Sequence, residues 1–136
     1  MTASPVASVS EPSRAASRTG WGLTVFVALF LAFDAIIKVL VLPIAVQATT
    51  ELGYPASTIF WIGAVQLTCL VLYLVPRTAV LGALLLTGHL GGAIATHVRV
   101  GNPLFSHTLF PIYVALLLWG GVYLREPRLR ALLPLR

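Results

Sequence analysis

The sequence predicts an all-α integral membrane protein, a bundle of four transmembrane helices with both termini on the cytoplasmic side. Of its 136 residues 58% are hydrophobic and 10% are charged, with a mean hydropathy of +0.94, whereas soluble domains carry about 25% charged residues. The hydrophobic residues also occur in long blocks, which is typical of membrane-spanning helices.

The first element is an N-terminal tail at residues 1–20, which is rich in Ser, Ala and Pro and contains no apolar run. A segment of this composition cannot bury enough apolar surface to fold, so we expect the tail to be disordered. The apolar stretch behind it is too long for a secretory signal and lacks a small-residue cleavage site. We therefore expect the tail to remain on the protein.

Four apolar spans follow and form one membrane domain over residues 21–124. A helix rises about 1.5 Å per residue, so roughly 20 residues cross a hydrocarbon core of about 30 Å. Three spans reach this length and the last is short, so we expect neighbouring helices to shield its ends. The spans are predicted at residues 21–46, 56–75, 78–98 and 109–124.

The basic residues set the predicted orientation. Only Arg99 falls in a loop on the far side, and Lys38 lies inside a span. Since basic loops stay in the cytoplasm, both termini are predicted there, and a bacterial cytoplasmic membrane is the expected location. The tail at residues 125–136 is then a solvated basic anchor or, less favoured, a short interfacial helix. The residues on the side of the termini are Arg14, Arg18, Arg77, Arg125, Arg128, Arg130 and Arg136.

Composition and spacing argue against several classes of function. The net charge of +5 comes from residues that flank apolar blocks and form no basic face with aromatic residues, which disfavours nucleic-acid binding. Cys69 is the single cysteine, so no reactive cysteine pair exists. His89 and His97 are about 12 Å apart along one helix, too far to share a metal ion. We predict no catalytic residues and no metal ligands.

Polar residues nevertheless concentrate in the outer half of the predicted bundle. Asp34 and Lys38 are four residues apart, so they share a helix face and can pair. Because a charge in mid-membrane costs roughly 3 kcal/mol, such residues normally face the bundle interior or water. The pair is either a structural salt bridge or a proton or anion site, and the sequence leaves both open. The candidates for a polar cavity open to the outer side are Asp34, Lys38, Gln66, His89, His97, Arg99 and His107.

The third span and its following loop, TGHLGGAIATHVRVG at residues 87–101, carry most of these groups. We expect His89 to meet Asp34 or Gln66 across a helix interface, and His97 and Arg99 to line the outer mouth of the bundle. Small residues let helices approach closely in lipid, so a helix-packing role is predicted for Gly88, Gly91 and Gly92.

From ELGYP (residues 51–55) onward, the chain resembles the DoxX-like family of small four-helix membrane proteins. The resemblance is carried by YLVPRTAVLGALLLTGHLGGAIATHVRVGNPLF from Tyr73 and by LWGGVYLREPRLRALLP near the end, and it covers about residues 22–134. Asp34 and Lys38 fall where the family has a polar position near the end of the first helix. The family is named after a membrane subunit linked to sulfur-compound oxidation that feeds electrons to quinone, and some relatives are associated with oxidative-stress defence. The resemblance implies no settled catalytic residues.

Three functions are compatible with these observations. The resemblance favours an accessory subunit of a membrane redox or stress-response complex, without an activity of its own. The alternatives are a small proton-coupled transporter that uses Asp34, which Lys38 would neutralise, and a quinone- or haem-binding membrane oxidoreductase. We expect no resident cofactor, with quinone or haem as the exceptions to test. The expected partners are the lipid bilayer and other membrane or redox proteins; the oligomeric state is not predicted.

Overall fold

The computed structural model describes residues 11–133, and in that range it is a helical bundle without β-strands. A 3₁₀ turn, Ala56–Thr58, precedes the third helix, and a π-helical turn, Leu104–Thr108, precedes the fifth. The predicted all-α fold is confirmed. The helices are α1 (Arg14–Val39), α2 (Pro43–Glu51), α3 (Ile59–Leu74), α4 (Ala79–Val100), α5 (Phe110–Arg125) and α6 (Pro127–Leu132).

Four helical segments are long and apolar enough to cross a membrane. Their outward faces carry large apolar side chains such as Phe26, Leu29 and Phe33 of α1, which are exposed in the isolated chain. Contiguous apolar surface of this extent calls for lipid around it, so the chain is an integral membrane protein. The segments are Arg14–Val39, Ala56–Leu74, Ala79–Val100 and Leu104–Arg125. The side on which the termini lie stays a prediction.

The four long helices form a ring in which each contacts two neighbours. Helix α1 packs against α3 and α5, and α4 packs against the same two helices from the opposite side. The buried core between them consists of aliphatic side chains, including Val27, Leu31, Leu70, Leu86 and Leu118. The start of α1, the end of α5 and the α3–α4 turn therefore share one end of the bundle, and α2 lies at the other.

Helix α1 begins earlier than the sequence predicted. Residues 14–20, which were expected to be part of a disordered tail, form its first two turns. Ser13 caps the helix, since its Oγ accepts a hydrogen bond from the Ala16 N–H at 3.1 Å, and Gly20 is buried against Gly121 of α5. Composition alone did not reveal this local cap and tertiary contact. Residues 1–10 of the expected tail lie outside the described residues.

The first predicted span, residues 21–46, is divided between two helices. Helix α1 ends at Val39, and Val41 adopts a left-handed φ of 53° before α2 starts at Pro43. The Leu42 N–H donates to the Ile37 carbonyl oxygen, which closes the helix end. Proline has no N–H and cannot continue α1, but it suits the first turn of a new helix. The chain therefore turns at residues 40–42, and α2 packs on α1 and α3.

The basic C-terminal segment contains the short helix α6, the conformation that the sequence argument favoured less. Arg130 donates hydrogen bonds to the carbonyl oxygens of Tyr123 and Leu124, at 2.9 and 2.7 Å, and so caps the end of α5. Leu129 is buried beneath this cap. Residues 134–136 lie outside the described range.

Candidate functional site

Asp34 and Lys38 form an ion pair near the end of α1. The Lys38 Nζ donates to Asp34 Oδ2 at 2.5 Å, and it also donates to Gln66 Oε1 of α3 at 3.3 Å. The Gln66 Nε2 donates in turn to the Leu31 carbonyl oxygen at 3.2 Å. The pairing predicted from spacing is present, and the network joins α1 to α3.

A glycine allows α1 and α3 to approach closely enough for this network to form. A Cβ placed at Gly63 would lie 2.7 Å from the Lys38 Cβ and 2.8 Å from the Ala35 carbonyl oxygen. Any larger residue at position 63 would push the helices apart. Gly63 thus brings the Lys38 ammonium group to the amide of Gln66.

A cavity of about 460 Å³ lies beside Lys38, between α3, α4 and the segment that follows α2. Apolar side chains such as Trp61, Ile62 and Val65 form one wall, and Ala93 lies on the opposite wall. The cavity lies where α1 and α4 end and α3 begins. Its polar lining consists of Lys38, Thr49, Tyr54, Thr58, His89, Thr96 and His97.

The same two helices are in tight contact at their other ends. A Cβ at Gly82 of α4 would collide with the backbone of Tyr73 and Leu72 of α3. Close packing near the α3–α4 turn and an open space toward α2 together give the cavity its shape.

His89 lines the cavity and is half-buried, but the hydrogen bond expected to Asp34 or Gln66 is absent from the described chain. Lys38 takes that position, because its ammonium group already contacts both partners. Within residues 11–133, the His89 ring has no hydrogen-bond partner. An imidazole can donate or accept according to its tautomer, so His89 can serve a ligand of either kind.

His97 also lines the cavity, whereas Arg99 and His107 do not. The Arg99 guanidinium group donates to the Leu52 carbonyl oxygen at 2.9 Å and so fastens the segment after α2 to the end of α4. The His107 ring touches that of His97 edge-on, with centroids 5.9 Å apart. Of the seven predicted residues, Lys38, His89 and His97 face the cavity, Asp34 and Gln66 hold Lys38, and Arg99 and His107 lie beyond it.

Sequence reasoning missed two further groups, Tyr54 and Thr96. The Tyr54 hydroxyl lies 2.8 Å from the Thr96 Oγ1, and the Thr96 hydroxyl donates to the Gly92 carbonyl oxygen at 2.8 Å. This contact joins the segment after α2 to α4 across the cavity. The sequence could have identified Thr96 as a residue of the polar cavity, because it lies seven residues after His89 on the same helix face.

The sequence model of the DoxX-like family matches residues 22–121, from the third turn of α1 into α5. The chain belongs to the DoxX-like family. The match includes every element that lines the cavity, so the cavity lies within the family's shared region. Among curated proteins and among solved structures, none matches the chain.

Three glycines in α4 of this DoxX-like protein, for which a packing role is predicted, meet no other helix within the described residues. A Cβ at Gly88, Gly91 or Gly92 would meet no atom of another helix within 4 Å. Gly88 and Gly92 line the cavity instead, and Gly91 lines an apolar groove between α4 and α5. Gly88 and Gly92 do have the Gly-x-x-x-Gly spacing, but this spacing does not show whether that face of α4 contacts another helix. The close contacts are made at Gly20, Gly63, Gly82 and Gly121.

A second polar cluster lies at the opposite end of the DoxX-like bundle and was not predicted. The Arg125 guanidinium group donates to Thr24 Oγ1 at 3.1 Å and to the Tyr73 carbonyl oxygen at 3.0 Å. It also lies over the Trp21 ring, 4.5 Å from the ring centre. The Tyr73 hydroxyl donates to the Leu118 carbonyl oxygen at 2.8 Å. This cluster joins α1, α3 and α5, and the basic-flank interpretation of Arg125 overlooked it.

Proposed function

We propose that this DoxX-like membrane protein binds an amphiphilic small molecule in the cavity beside Lys38, as an accessory subunit of a membrane redox or stress-response complex. The observation that carries the proposal is the cavity itself. Its 460 Å³ falls within the range of about 300–1,000 Å³ typical of ligand sites. Largely apolar walls with a few convergent polar groups are the usual composition of such sites.

The polar network supports binding more than transport. A proton-coupled carrier needs a carboxylate that can exchange its proton with the substrate, but the Asp34 carboxylate is held by Lys38 at 2.5 Å. Lys38 is held in addition by the buried Gln66. A network fixed on two helices favours a stationary site with a polar end.

The ligand test compares the protein purified from its native membranes with two tryptophan variants. Ala93 lines the cavity, whereas Ala95, two residues away on α4, is exposed and outside the lining. We expect Ala93→Trp to fill the cavity and Ala95→Trp to leave it open. Mass spectrometry of organic extracts should then find a compound in the wild type and in Ala95→Trp that falls at least about tenfold in Ala93→Trp, a loss of about 1.4 kcal/mol in binding. Identical extracts from all three proteins would contradict the proposed site.

The accessory role is tested by identifying the proteins that bind this chain in its native membrane. Crosslinking in native membranes, followed by mild-detergent purification, should recover the same membrane or redox partner in independent preparations. Repeated recovery of the bare chain alone would contradict the accessory role and leave the ligand site standing.

A quinone-binding oxidoreductase is the second candidate, because the apolar walls and the polar end of the cavity also suit a quinone. Mass spectrometry of the organic extracts tests for quinone, and absorbance spectra of the native protein, oxidised and then reduced with dithionite, test for haem and flavin. A spectrum with the aromatic band alone would exclude bound haem and flavin and leave the choice between the accessory role and quinone binding to the extracts. A reducible Soret band, lost in His89→Ala or His97→Ala, would instead favour a haem oxidoreductase.

We further propose a bacterial cytoplasmic membrane with both termini in the cytoplasm. The exposed arginines Arg14, Arg18 and Arg77 share the end of the bundle where α1 begins and α5 ends, which supports this orientation. Reporter fusions at each terminus test it: both should be active only with a reporter that folds in the cytoplasm, and activity of a periplasmic reporter at either end would contradict it.

A further inference from the structure

Two polar groups of the cavity lining, His97 and Lys38, can donate hydrogen bonds to a ligand. The Asn102 Nδ2 lies 2.7 Å from the His97 Nδ1. An amide nitrogen can only donate, so the His97 Nδ1 accepts and carries no hydrogen. With the Asn102 amide in this orientation the hydrogen of the His97 ring is on Nε2, and the His97 side chain lines the cavity.

Lys38 adds a second donor. An ammonium group carries three hydrogens, and the described partners of Lys38, Asp34 and Gln66, take two of them. The side chain lines the cavity, so the third hydrogen remains for a ligand. The Tyr54 hydroxyl has no hydrogen left for a ligand. The Thr96 hydroxyl donates its hydrogen to the Gly92 carbonyl oxygen, so the Tyr54 hydroxyl must donate its own to the Thr96 Oγ1.

The charge at the site limits what those donors can bind. Among the described residues that line the cavity, Lys38 is the one Lys, Arg, Asp or Glu side chain, and Asp34 already balances it. A ligand carboxylate on Lys38 would leave two anions around one ammonium group in a poorly solvated site, which is costly. A ligand cation would find no unpaired carboxylate there.

We infer that the ligand of this cavity is an uncharged amphiphile whose polar end accepts hydrogen bonds through oxygen, as a ketone or ester does. The inference rests on the proposed ligand site and adds the chemical class. The Lys38 ammonium group and the His97 N–H group are the two donors that the cavity offers to a ligand oxygen, and the apolar wall around Ile62 and Val65 contacts the hydrocarbon body.

Three probes with the same ten-carbon chain test this inference: 2-decanone, decanoate and decylammonium. Each is titrated calorimetrically into the full chain in nanodiscs, and the heat of its transfer into empty nanodiscs is subtracted. We expect 2-decanone to bind the wild type and Ala95→Trp but not Ala93→Trp. Binding of the two charged probes should be at least about tenfold weaker, because each places an uncompensated charge in the cavity.

The donor assignment is tested on the histidine pair. One neutral hydrogen bond is worth about 1 kcal/mol, so His97→Phe should weaken 2-decanone binding about fivefold. His97→Gln keeps an N–H donor and should recover part of the loss. His107→Phe, whose ring lies outside the cavity lining, should change the affinity less than about twofold.

The outcomes separate this inference from the site on which it rests. Tighter binding of decanoate or decylammonium that Ala93→Trp abolishes would overturn the chemical class and leave the ligand site in place. If no probe shows binding that depends on Ala93→Trp, the ligand site fails, and the inference fails with it. Equal loss in His97→Phe and His107→Phe would overturn the role of the His97 N–H group.

Discussion

At the end of the bundle where α1 begins and α5 ends, Arg125, Thr24 and Tyr73 donate to fixed partners within the protein, and Arg125 is only 9% exposed. At the opposite end, Lys38 has hydrogen bonds to Asp34 and Gln66 but faces a cavity. Both clusters join α1 to α3. A polar cluster whose side chains are buried against fixed partners stabilises a membrane fold, whereas one with a donor beside an open cavity can hold a ligand.

The glycines of α4 follow the same division. Gly82, near the α3–α4 turn, lies directly against the backbone of Tyr73. Gly88 and Gly92, one and a half turns or more further along α4, face open space and line the cavity. One residue type in one helix thus serves tight packing at one end and an open wall at the other.

The largest effect is expected at Gly82. A Cβ there meets backbone atoms that cannot rotate away, so Gly82→Ala should lower the free energy of unfolding by about 3 kcal/mol. Gly88→Ala is the matched control on the same helix, and there the better helix propensity of alanine should leave stability unchanged or raise it by up to about 1 kcal/mol. Denaturant unfolding in mixed micelles measures both, and equal effects would erase the distinction between the two ends.

Arg125 should show the next largest effect. Arg125→Met removes two charge-assisted hydrogen bonds and leaves the Tyr73 carbonyl oxygen without this partner, which should cost about 2 kcal/mol of unfolding free energy. Arg128→Met, at an exposed side chain three residues on, should stay within about 0.5 kcal/mol of the wild type. Ligand affinity should be the same in both variants, and reduced affinity in Arg125→Met alone would couple the two ends.

A smaller loss is expected for Lys38, because its partner Asp34 is 35% exposed at the side chain. Lys38→Met should cost about 1.5 kcal/mol by leaving the Asp34 carboxylate without its counter-ion. Adding Asp34→Asn should restore much of that stability while 2-decanone binding stays weak. If the double variant binds as tightly as the wild type, the ammonium group has no part in the site.

The sequence was sufficient for the membrane class, the four long helices and the Asp34–Lys38 pair, because hydropathy and an i, i+4 spacing are local properties. The hydrogen bond from Lys38 to Gln66 could not be predicted from local sequence. It depends on Gly63, which sets the distance between α1 and α3. The open space around Gly88, Gly91 and Gly92 could not be predicted for the same reason, since a local motif does not reveal where two helices diverge.

Helix boundaries show a second limit. Val41 takes a left-handed conformation that a β-branched residue rarely adopts, so nothing in its type marked the end of α1. Pro43 was a usable signal, because proline begins helices and seldom continues them. The burial of Arg125 was not predicted, because counting basic residues treats every arginine beside an apolar span alike. The count does not distinguish a solvated arginine from one that packs on a tyrosine, as Arg125 packs on Tyr73.

The central claim is that α4 faces an accessible ligand cavity at one end and a closed core at the other, and two alanines of α4 test it directly. Ala93 lines the cavity, whereas Ala83 is fully buried in the core. In a Cys69→Ala background, the rate of alkylation by N-ethylmaleimide is measured for Ala93→Cys and Ala83→Cys in nanodiscs. We predict that Ala93→Cys reacts at least about tenfold faster and that 2-decanone slows it, since a reactive thiol must be accessible. Equal rates at the two positions, or a rate at Ala93→Cys that 2-decanone leaves unchanged, would contradict the account.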